Sequence, residues 1–189
     1  MIRLVRKYNP NSYYYDQYLN DHITGVKKSW YDILKPALVE NFNISYETIE
    51  EISELISIHD NSKFDDEEYY CYLDYFYPSD DCPKDEKSFN EGWNHHQKNN
   101  PHHWQYWMLI EDDGTIRCLD IPLKYVVEMC CDWHSFSYTK GKEDTAYKWW
   151  NKNKDIIKVS DKTYRMIDEI VEYLKEPLKN DSDNNNQEV

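Results

Sequence analysis

The stretch Ile58-His59-Asp60-Asn61-Ser62-Lys63-Phe64 follows a strongly patterned segment and gives a starting point for working out the fold. The apolar residues before it recur at helical spacing: Ile49, Ile52, Leu55 and Ile56. Continuing that period places His59 on the buried face of a helix. A histidine beside an aspartate offers a nitrogen and an oxygen ligand, a pair that suits one or two divalent ions such as Mn, Fe, Zn, Mg or Ni. The alternative is a core histidine hydrogen-bonded by a helix-capping aspartate, the more common arrangement for an isolated pair.

The composition favours one helical domain. The chain has 189 residues and 40% hydrophobic composition, enough for one core and short for two. It contains 18 Tyr and 7 Trp but only 4 Gly, which suits helices packed through bulky side chains. We therefore expect an all-α, single-domain helical bundle over residues 1–178. The polar, acidic segment 179–189 is expected to be a disordered tail.

The net charge, the cysteines and the lack of long apolar runs predict the cellular compartment and exclude some kinds of partner. Asp and Glu number 36 against 22 Lys and Arg, and the net charge of −14 argues against non-specific nucleic-acid binding. The five cysteines are odd in number and contain no Cys-x-x-Cys, which fits reduced thiols. The N-terminal residues lack the apolar core of a signal peptide, and no apolar run is long enough to cross a bilayer. We expect a cytoplasmic protein that does not enter membranes.

A long first helix is predicted from about Tyr13 to Phe42, with a kink at Pro36. Its apolar residues hold a helical period: Leu19, Ile23, Val26, Trp30, Leu34 and Leu38. His22 lies on the same stripe and is predicted to face inward. Residues 43–45 are expected to cap the second helix, which ends at the His59-Asp60 pair.

Four of the seven histidines fall between residues 95 and 103. On a helix Phe89, Trp93 and His96 share a face, so His96 is the inward candidate of its pair. Pro101 ends the helix and resets the direction of the two histidines that follow it, His102 and His103. The alternative is a histidine-rich polar surface, or a core pair satisfied by backbone carbonyls.

Downstream, a small hairpin is predicted near residues 105–119, followed by a helix that begins at Pro122. Tyr125, Met129 and Asp132 share a stripe of that helix, with Glu128 adjoining it. An inward carboxylate at Asp132 needs a partner, because an unpaired buried carboxylate costs several kcal/mol. Residues 135–145 are expected to form a polar loop, and a last amphipathic helix is predicted from about Ser160.

Successive helices are thus predicted to present His22, the His59-Asp60 pair and Asp132 inward. This order resembles the HD superfamily of metal-dependent phosphohydrolases, and the resemblance covers about residues 18–133. It implies a metal held in a helical bundle by those four residues. Further histidines before the last Asp resemble the subset that holds two or more metals, and the candidates for this role are His96, His102 and His103. Lys63 resembles the lysine that contacts the phosphate in that superfamily.

Three segments also resemble small uncharacterised proteins from bacteria and their phages: Ile-His-Asp-Asn-Ser-Lys-Phe (58–64), Asn-Pro-His-His-Trp-Gln-Tyr-Trp (100–107) and Glu-Met-Cys-Cys-Asp-Trp (128–133). That likeness implies no known activity. The segment with four histidines also departs from the standard middle motif of the HD superfamily, which leaves open the number of metals.

The resemblance implies a phosphohydrolase acting on a nucleotide or related phosphate ester through metal-activated water. Asp60 would bridge two metals and Lys63 would meet the phosphate as a point charge. Trp93, Trp104 or Trp133 could stack on a base, although core packing is the more common role of tryptophan. One alternative is a non-catalytic acidic protein on an HD-like scaffold, phage-encoded and binding a basic host partner. Another is an oxygen-activating di-iron enzyme, because histidine and carboxylate ligands serve both chemistries.

Overall fold

The computed structural model describes residues 8–176. The predicted all-α fold with a small hairpin is confirmed. Within this described part, no helix is both long enough and apolar enough to cross a bilayer. The tail predicted over 179–189 lies outside the described residues.

The predicted first helix is one rod made of three segments. These are α1 (Ser12–Lys28), a π-helical segment (Ser29–Leu34) and α2 (Lys35–Asn41). At 3.6 residues per turn, each four-residue step along the apolar stripe overshoots a full turn by about 40°. The wider π turn offsets this rotation, so Val26, Trp30, Leu34 and Leu38 all stay fully buried. Pro36 stands in the first turn of α2, directly after the π-helical segment.

Helix α3 (Tyr46–Ser57) is capped as predicted, because the Ser45 side chain accepts a hydrogen bond from the Thr48 backbone N–H. After a turn the chain forms a 3₁₀ segment (Asn61–Phe64) and then α4 (Asp66–Phe76) and α5 (Glu86–Asn99). Helices α4 and α5 pack closely. Gly92 permits this approach, since a Cβ there would lie 2.7 Å from the Cβ of Cys71.

The predicted hairpin is shorter than expected. Residues Trp104–Trp107 form a 3₁₀ turn, and only Met108–Ile110 (β1) and Ile116–Cys118 (β2) pair as antiparallel strands. Ile110 lies opposite Ile116. The turn between them uses Gly114 at a positive φ of 83°.

Helix α6 (Leu123–Thr139) is the central element and packs against α1, α3 and α8. The prediction of a loop over residues 135–145 was wrong in its first part, because the helix continues to Thr139. Its polar residues have partners: the Ser135 hydroxyl donates to the Asp132 carbonyl, and Ser137 donates to the His134 carbonyl. Helices α7 (Ala146–Asn153) and α8 (Asp161–Val171) follow, and a 3₁₀ turn (Glu172–Leu174) ends the described part.

The buried apolar residues form two clusters. The larger one joins α1 to α3, α6, α7 and α8, and the smaller one joins α1 to α4. On α1, Leu19 belongs to the smaller cluster and Val26 to the larger. His22 lies between them, so the polar centre described below is bordered by apolar packing on both sides.

Candidate metal centre

The carboxylate of Asp60 is the centre of a buried polar cluster. Its Oδ2 atom lies 3.2 Å from Nε2 of His22 and 3.5 Å from Nε2 of His59. The Oδ1 atom of Asp132 is 3.3 Å from the same atom of His22 and 3.9 Å from that of His59. We call His22, His59 and Asp132 the Oδ2 side of the centre. Residues far apart in the sequence therefore meet there, as the helical stripes predicted.

The other oxygen of Asp60 faces a second group of imidazoles. Its Oδ1 atom lies 3.3 Å from Nε2 of His96 and 3.5 Å from Nε2 of His102. The ring of His103 is 4.7 Å from that of His96 and 4.3 Å from that of His102, centroid to centroid. We call these three histidines the Oδ1 side. Asp60 with His96, His102 and His103 forms one group whose ligand atoms are close enough to hold an ion, and His22, His59 and Asp132 form another.

Backbone geometry at Asp60 makes this double contact possible. Asp60 has φ 57° and ψ 19°, the left-handed region, and within residues 8–176 it is the one non-glycine residue with positive φ. Aspartate and asparagine tolerate this conformation better than other side chains. The turn ends α3 and lets the adjacent side chains of His59 and Asp60 meet at one centre, whereas an α-helix would direct them about 100° apart.

One carboxylate orients a histidine on each side of the centre. Oε1 of Glu128 lies 2.9 Å from Nδ1 of His59 and 3.2 Å from Nδ1 of His102. An ionised carboxylate only accepts hydrogen bonds, so each Nδ1 carries a proton. In the neutral ring, the lone pair is then on Nε2, the atom that faces Asp60.

The other imidazoles are oriented in similar ways. Nδ1 of His96 lies 2.7 Å from Glu68, which is fully buried and also accepts from Nδ1 of His95. Nδ1 of His22 lies 2.9 Å from the hydroxyl of Ser135. That hydroxyl already donates to a backbone carbonyl, so His22 must be the donor to it. Two carboxylates and one hydroxyl thus fix the rings of five histidines, four of which face Asp60, as the hydrogen-bond partners of ligating histidines do at metal sites.

The hydrogen bonds at Nδ1 turn the Nε2 atoms of His59, His96 and His102 toward the Asp60 carboxylate. Because Nδ1 is already used as a donor, Nε2 is the ring atom that can take up a metal ion or a proton beside this carboxylate. Among residues 8–176, these three Nε2 atoms, Nε2 of His103 and Oδ1 of Asp60 are buried without a hydrogen-bond partner. Such groups cost about 1–3 kcal/mol each when unsatisfied. A cation on each side of Asp60 would satisfy them, so the residues present fit a metal.

Residues 11–179 match the model of DUF5662, described as a family of unknown function. This chain belongs to the DUF5662 family. No curated protein and no solved structure matches the chain.

The electrostatics of this DUF5662 chain also favour positive charge beside Asp60. Burial raises the pKa of Asp60, but His59 and Lys63 outweigh it and hold that pKa well below its usual range. Nζ of Lys63 lies 2.6 Å from Oδ2 of Asp60. Burial opposes the charge of Lys63, yet the carboxylates of Asp60 and Asp132 raise its pKa. In contrast, burial lowers the pKa of His103 well below the usual value, which keeps that imidazole neutral.

All seven residues predicted from the sequence as metal ligands lie in this cluster: His22, His59, Asp60, His96, His102, His103 and Asp132. The sequence analysis missed the orienting role of Glu128 and did not single out Glu68. Glu128 adjoins the inward stripe of α6, and that position was its only signal. Glu68 follows Asp65, Asp66 and Glu67, a charge run that is equally typical of an exposed helix N-terminus.

Proposed function

We propose that this protein is a metal-dependent phosphohydrolase acting on a nucleotide or related phosphate ester. The observation that carries the proposal is the two-sided contact of Asp60, whose two oxygens each face imidazole Nε2 atoms from a different part of the chain. His22, His59 and Asp132 would hold one divalent ion and His96, His102 and His103 another, with Asp60 shared. When bound, such ions supply hydroxide at neutral pH and screen the charge of the attacked phosphoryl group.

Lys63 supports the assignment to phosphate chemistry. Its ammonium contacts Asp60 and is one of the few parts of the centre that reach solvent. The side chain of Lys63 is 13% exposed and that of Asp132 is 14% exposed, whereas His59 and His96 are fully enclosed. A substrate anion approaching from solvent would therefore meet Lys63 and could draw its ammonium away from Asp60 as a charge-assisted partner.

The ring of Tyr18 marks one approach to the centre. It stacks on His22 at 6.2 Å with an interplanar angle of 12°, and it lines a surface cleft of about 550 Å³. Burial raises the pKa of Tyr18, so the phenol stays neutral and can donate a hydrogen bond to an anion. Tyr18 is therefore suited to orienting a substrate beside Lys63.

The proposal is tested by metal content and hydrolysis in Asp60→Asn. Asparagine keeps the left-handed turn but removes the charge of the shared ligand. Protein purified without added metal should contain a divalent metal in the parent and little in the variant. The parent should hydrolyse p-nitrophenyl phosphate or a nucleoside diphosphate with Mn²⁺, Fe²⁺, Zn²⁺, Mg²⁺ or Ni²⁺, and Asp60→Asn should not. Equal metal content in parent and variant would refute the proposal.

Two matched variants locate the site further. His96→Gln should lower the metal stoichiometry, whereas His134→Gln should not, because His134 is equally buried but belongs to none of the ligand groups. Lys63→Gln should keep the metal and raise KM or lower kcat, as expected for contact with the substrate. Metal bound as predicted, with no hydrolysis across the substrate panel, would instead favour the non-catalytic alternative.

A further inference from the structure

A cleft of about 410 Å³ lies between the end of α6 and α7. The side chains that matter for its chemistry are Trp133, Phe136, Lys140, Lys148, Trp149 and Lys152. Asp144 is the one acidic residue in its lining. Three lysines against one aspartate contrast with a net charge of −14 for the whole chain. The cleft is therefore a local positive region on an acidic protein, which favours an anionic ligand.

The lysines are held at the edges of the cleft in different ways. Lys148 forms an exposed ion pair with Glu143, and the Lys140 ammonium lies 4.3 Å from the centre of the Phe136 ring. Lys140 and Lys152 are both exposed. Their ammonium groups can therefore turn toward a ligand without breaking a buried contact.

The floor and one wall of the cleft are aromatic. Trp133 is almost fully buried and stacks on Trp150 at 5.9 Å with an interplanar angle of 11°. Trp149 packs against Trp133 at 4.4 Å but remains 36% exposed. Its exposed surface can accept a flat ring, and stacking of this kind suits any nucleic-acid base because every base has a π-face.

The cleft is connected to the metal centre through α6. Asp132, Phe136 and Lys140 follow one another at intervals of four residues, so they lie along one stripe of the helix. The Phe136 ring is 5.8 Å from the ring of His22 on the Oδ2 side of the centre. Phe136 therefore stands between the centre and Lys140, and a ligand along this stripe would reach both.

The cleft lined by Tyr18 is a weaker match for the same ligand. Its lining contains one lysine, Lys28, which lies 5.6 Å from the centre of the Tyr138 ring, and one aspartate, Asp21. The opposite charges cancel there. Lys28 resembles Lys140 in exposure and in its position over an aromatic ring, so it offers a matched control.

We infer that the α6–α7 cleft binds a nucleotide, with the base stacked on Trp149 and the phosphate next to the ribose held by Lys140 and Lys152, so that a second phosphate would extend toward the metal centre. This inference rests on the proposed function, because it names the part of the substrate that lies outside the metal centre. It makes Trp149 a specificity-determining residue that separates nucleotides from phosphate esters without a flat ring.

Binding is measured by calorimetry on the full chain with a chelator present, so that hydrolysis cannot contribute. The probes are AMP and ribose 5-phosphate, which share the phosphate and differ in the base. Trp149→Leu should raise the Kd for AMP roughly tenfold and leave ribose 5-phosphate unchanged. The double variant Lys140→Gln/Lys152→Gln should raise the Kd for both probes roughly tenfold, and Lys28→Gln should change neither.

The outcomes separate this inference from the proposed function. Parent protein that hydrolyses phosphate esters but does not bind AMP would overturn the inference alone. Lys28→Gln weakening AMP as much as the double variant would also overturn it, since the ligand would then lie in the other cleft. AMP binding with the expected selectivity, but without metal-dependent hydrolysis, would support the cleft and overturn the proposed reaction. Circular dichroism of each variant checks that the fold is retained, and the lysine variants decide the test if Trp149→Leu does not fold.

Discussion

Replacing Glu128 by glutamine tests the orienting network of the centre directly. One oxygen of Glu128 accepts hydrogen bonds from His59 and His102, which lie on opposite sides of Asp60. Glutamine preserves the shape of the side chain but removes its charge. It also introduces an amide that can donate a hydrogen bond, so the Nδ1 atoms of the two histidines are no longer required to carry the proton.

The size of the effect follows from the pKa of Glu128. Burial acts to raise this pKa, but hydrogen bonds from His102 and His59 outweigh it and lower the value from 4.5 to about 2. At about 1.4 kcal/mol per pH unit, the ionised form contributes roughly 3 kcal/mol to the stability of the metal-free protein. This contribution is complete above pH 4.5 and is lost as the pH falls toward about 2. The pKa of His59 is raised above 6.5 despite its burial, because Asp60 favours its charged form. The ion pair between Glu128 and His59 is therefore most complete between pH 4.5 and pH 6.5.

Urea unfolding of chelator-treated protein measures this difference. At pH 6, Glu128→Gln should be less stable than the parent by up to roughly 3 kcal/mol, and the gap should narrow as the pH falls below 4.5. The variant should also bind metal about 10–100-fold more weakly, as expected when an orienting group is lost. A gap that stays constant between pH 6 and pH 3, or an unchanged metal affinity, would refute the network described here.

Two further predictions concern the packing at Gly25 and the titration of His134. Gly25→Ala should destabilise the protein by about 1–3 kcal/mol in thermal unfolding, because a Cβ there would lie 3.0 Å from the carbonyl oxygen of Ser135. Gly141→Ala, whose nearest neighbour would be 3.5 Å away, is the control and should be nearly neutral. Burial lowers the pKa of His134 to about 4, so the parent should lose roughly 3 kcal/mol as the pH falls from 6.5 toward 4. His134→Gln should lose less over that range, and parallel pH profiles would contradict the assignment.

Helical periodicity predicted most of the fold because the buried residues repeat along each helix. It placed His22 inward from its neighbours Leu19 and Val26, and the polar residues 43–45 predicted a helix cap that Ser45 provides. It missed the π-helical segment (Ser29–Leu34). Apolar residues spaced four apart look the same in the sequence whether the apolar stripe rotates around a regular α-helix or a wider π turn keeps the stripe on one face. It also ended α6 too early. Serine and threonine resemble a loop in sequence when their partners, such as the carbonyl of Asp132, belong to the helix itself.

The candidate site was predictable in its ligands and less so in what surrounds them. His59, Asp60 and Asp132 stood out because polar residues on an apolar stripe need a partner. The division into two sides did not follow from the sequence, since it depends on the left-handed backbone at Asp60. The orienting roles of Glu68 and Glu128 depend on contacts across 28 and 69 positions of sequence, which no local pattern records.

The backbone at Asp60 also limits how a member of this family could lose the proposed metal centre. Only glycine, asparagine and aspartate occupy the left-handed region routinely, and of these only aspartate carries two charged oxygens. A single change to asparagine or glycine would therefore remove the charged group that both sides of the centre share, while the turn and the helices around it persist. Any other residue at this position would have to re-form the turn after α3. If the proposed ions are bound, a relative with Asn or Gly at this position would keep the fold without them.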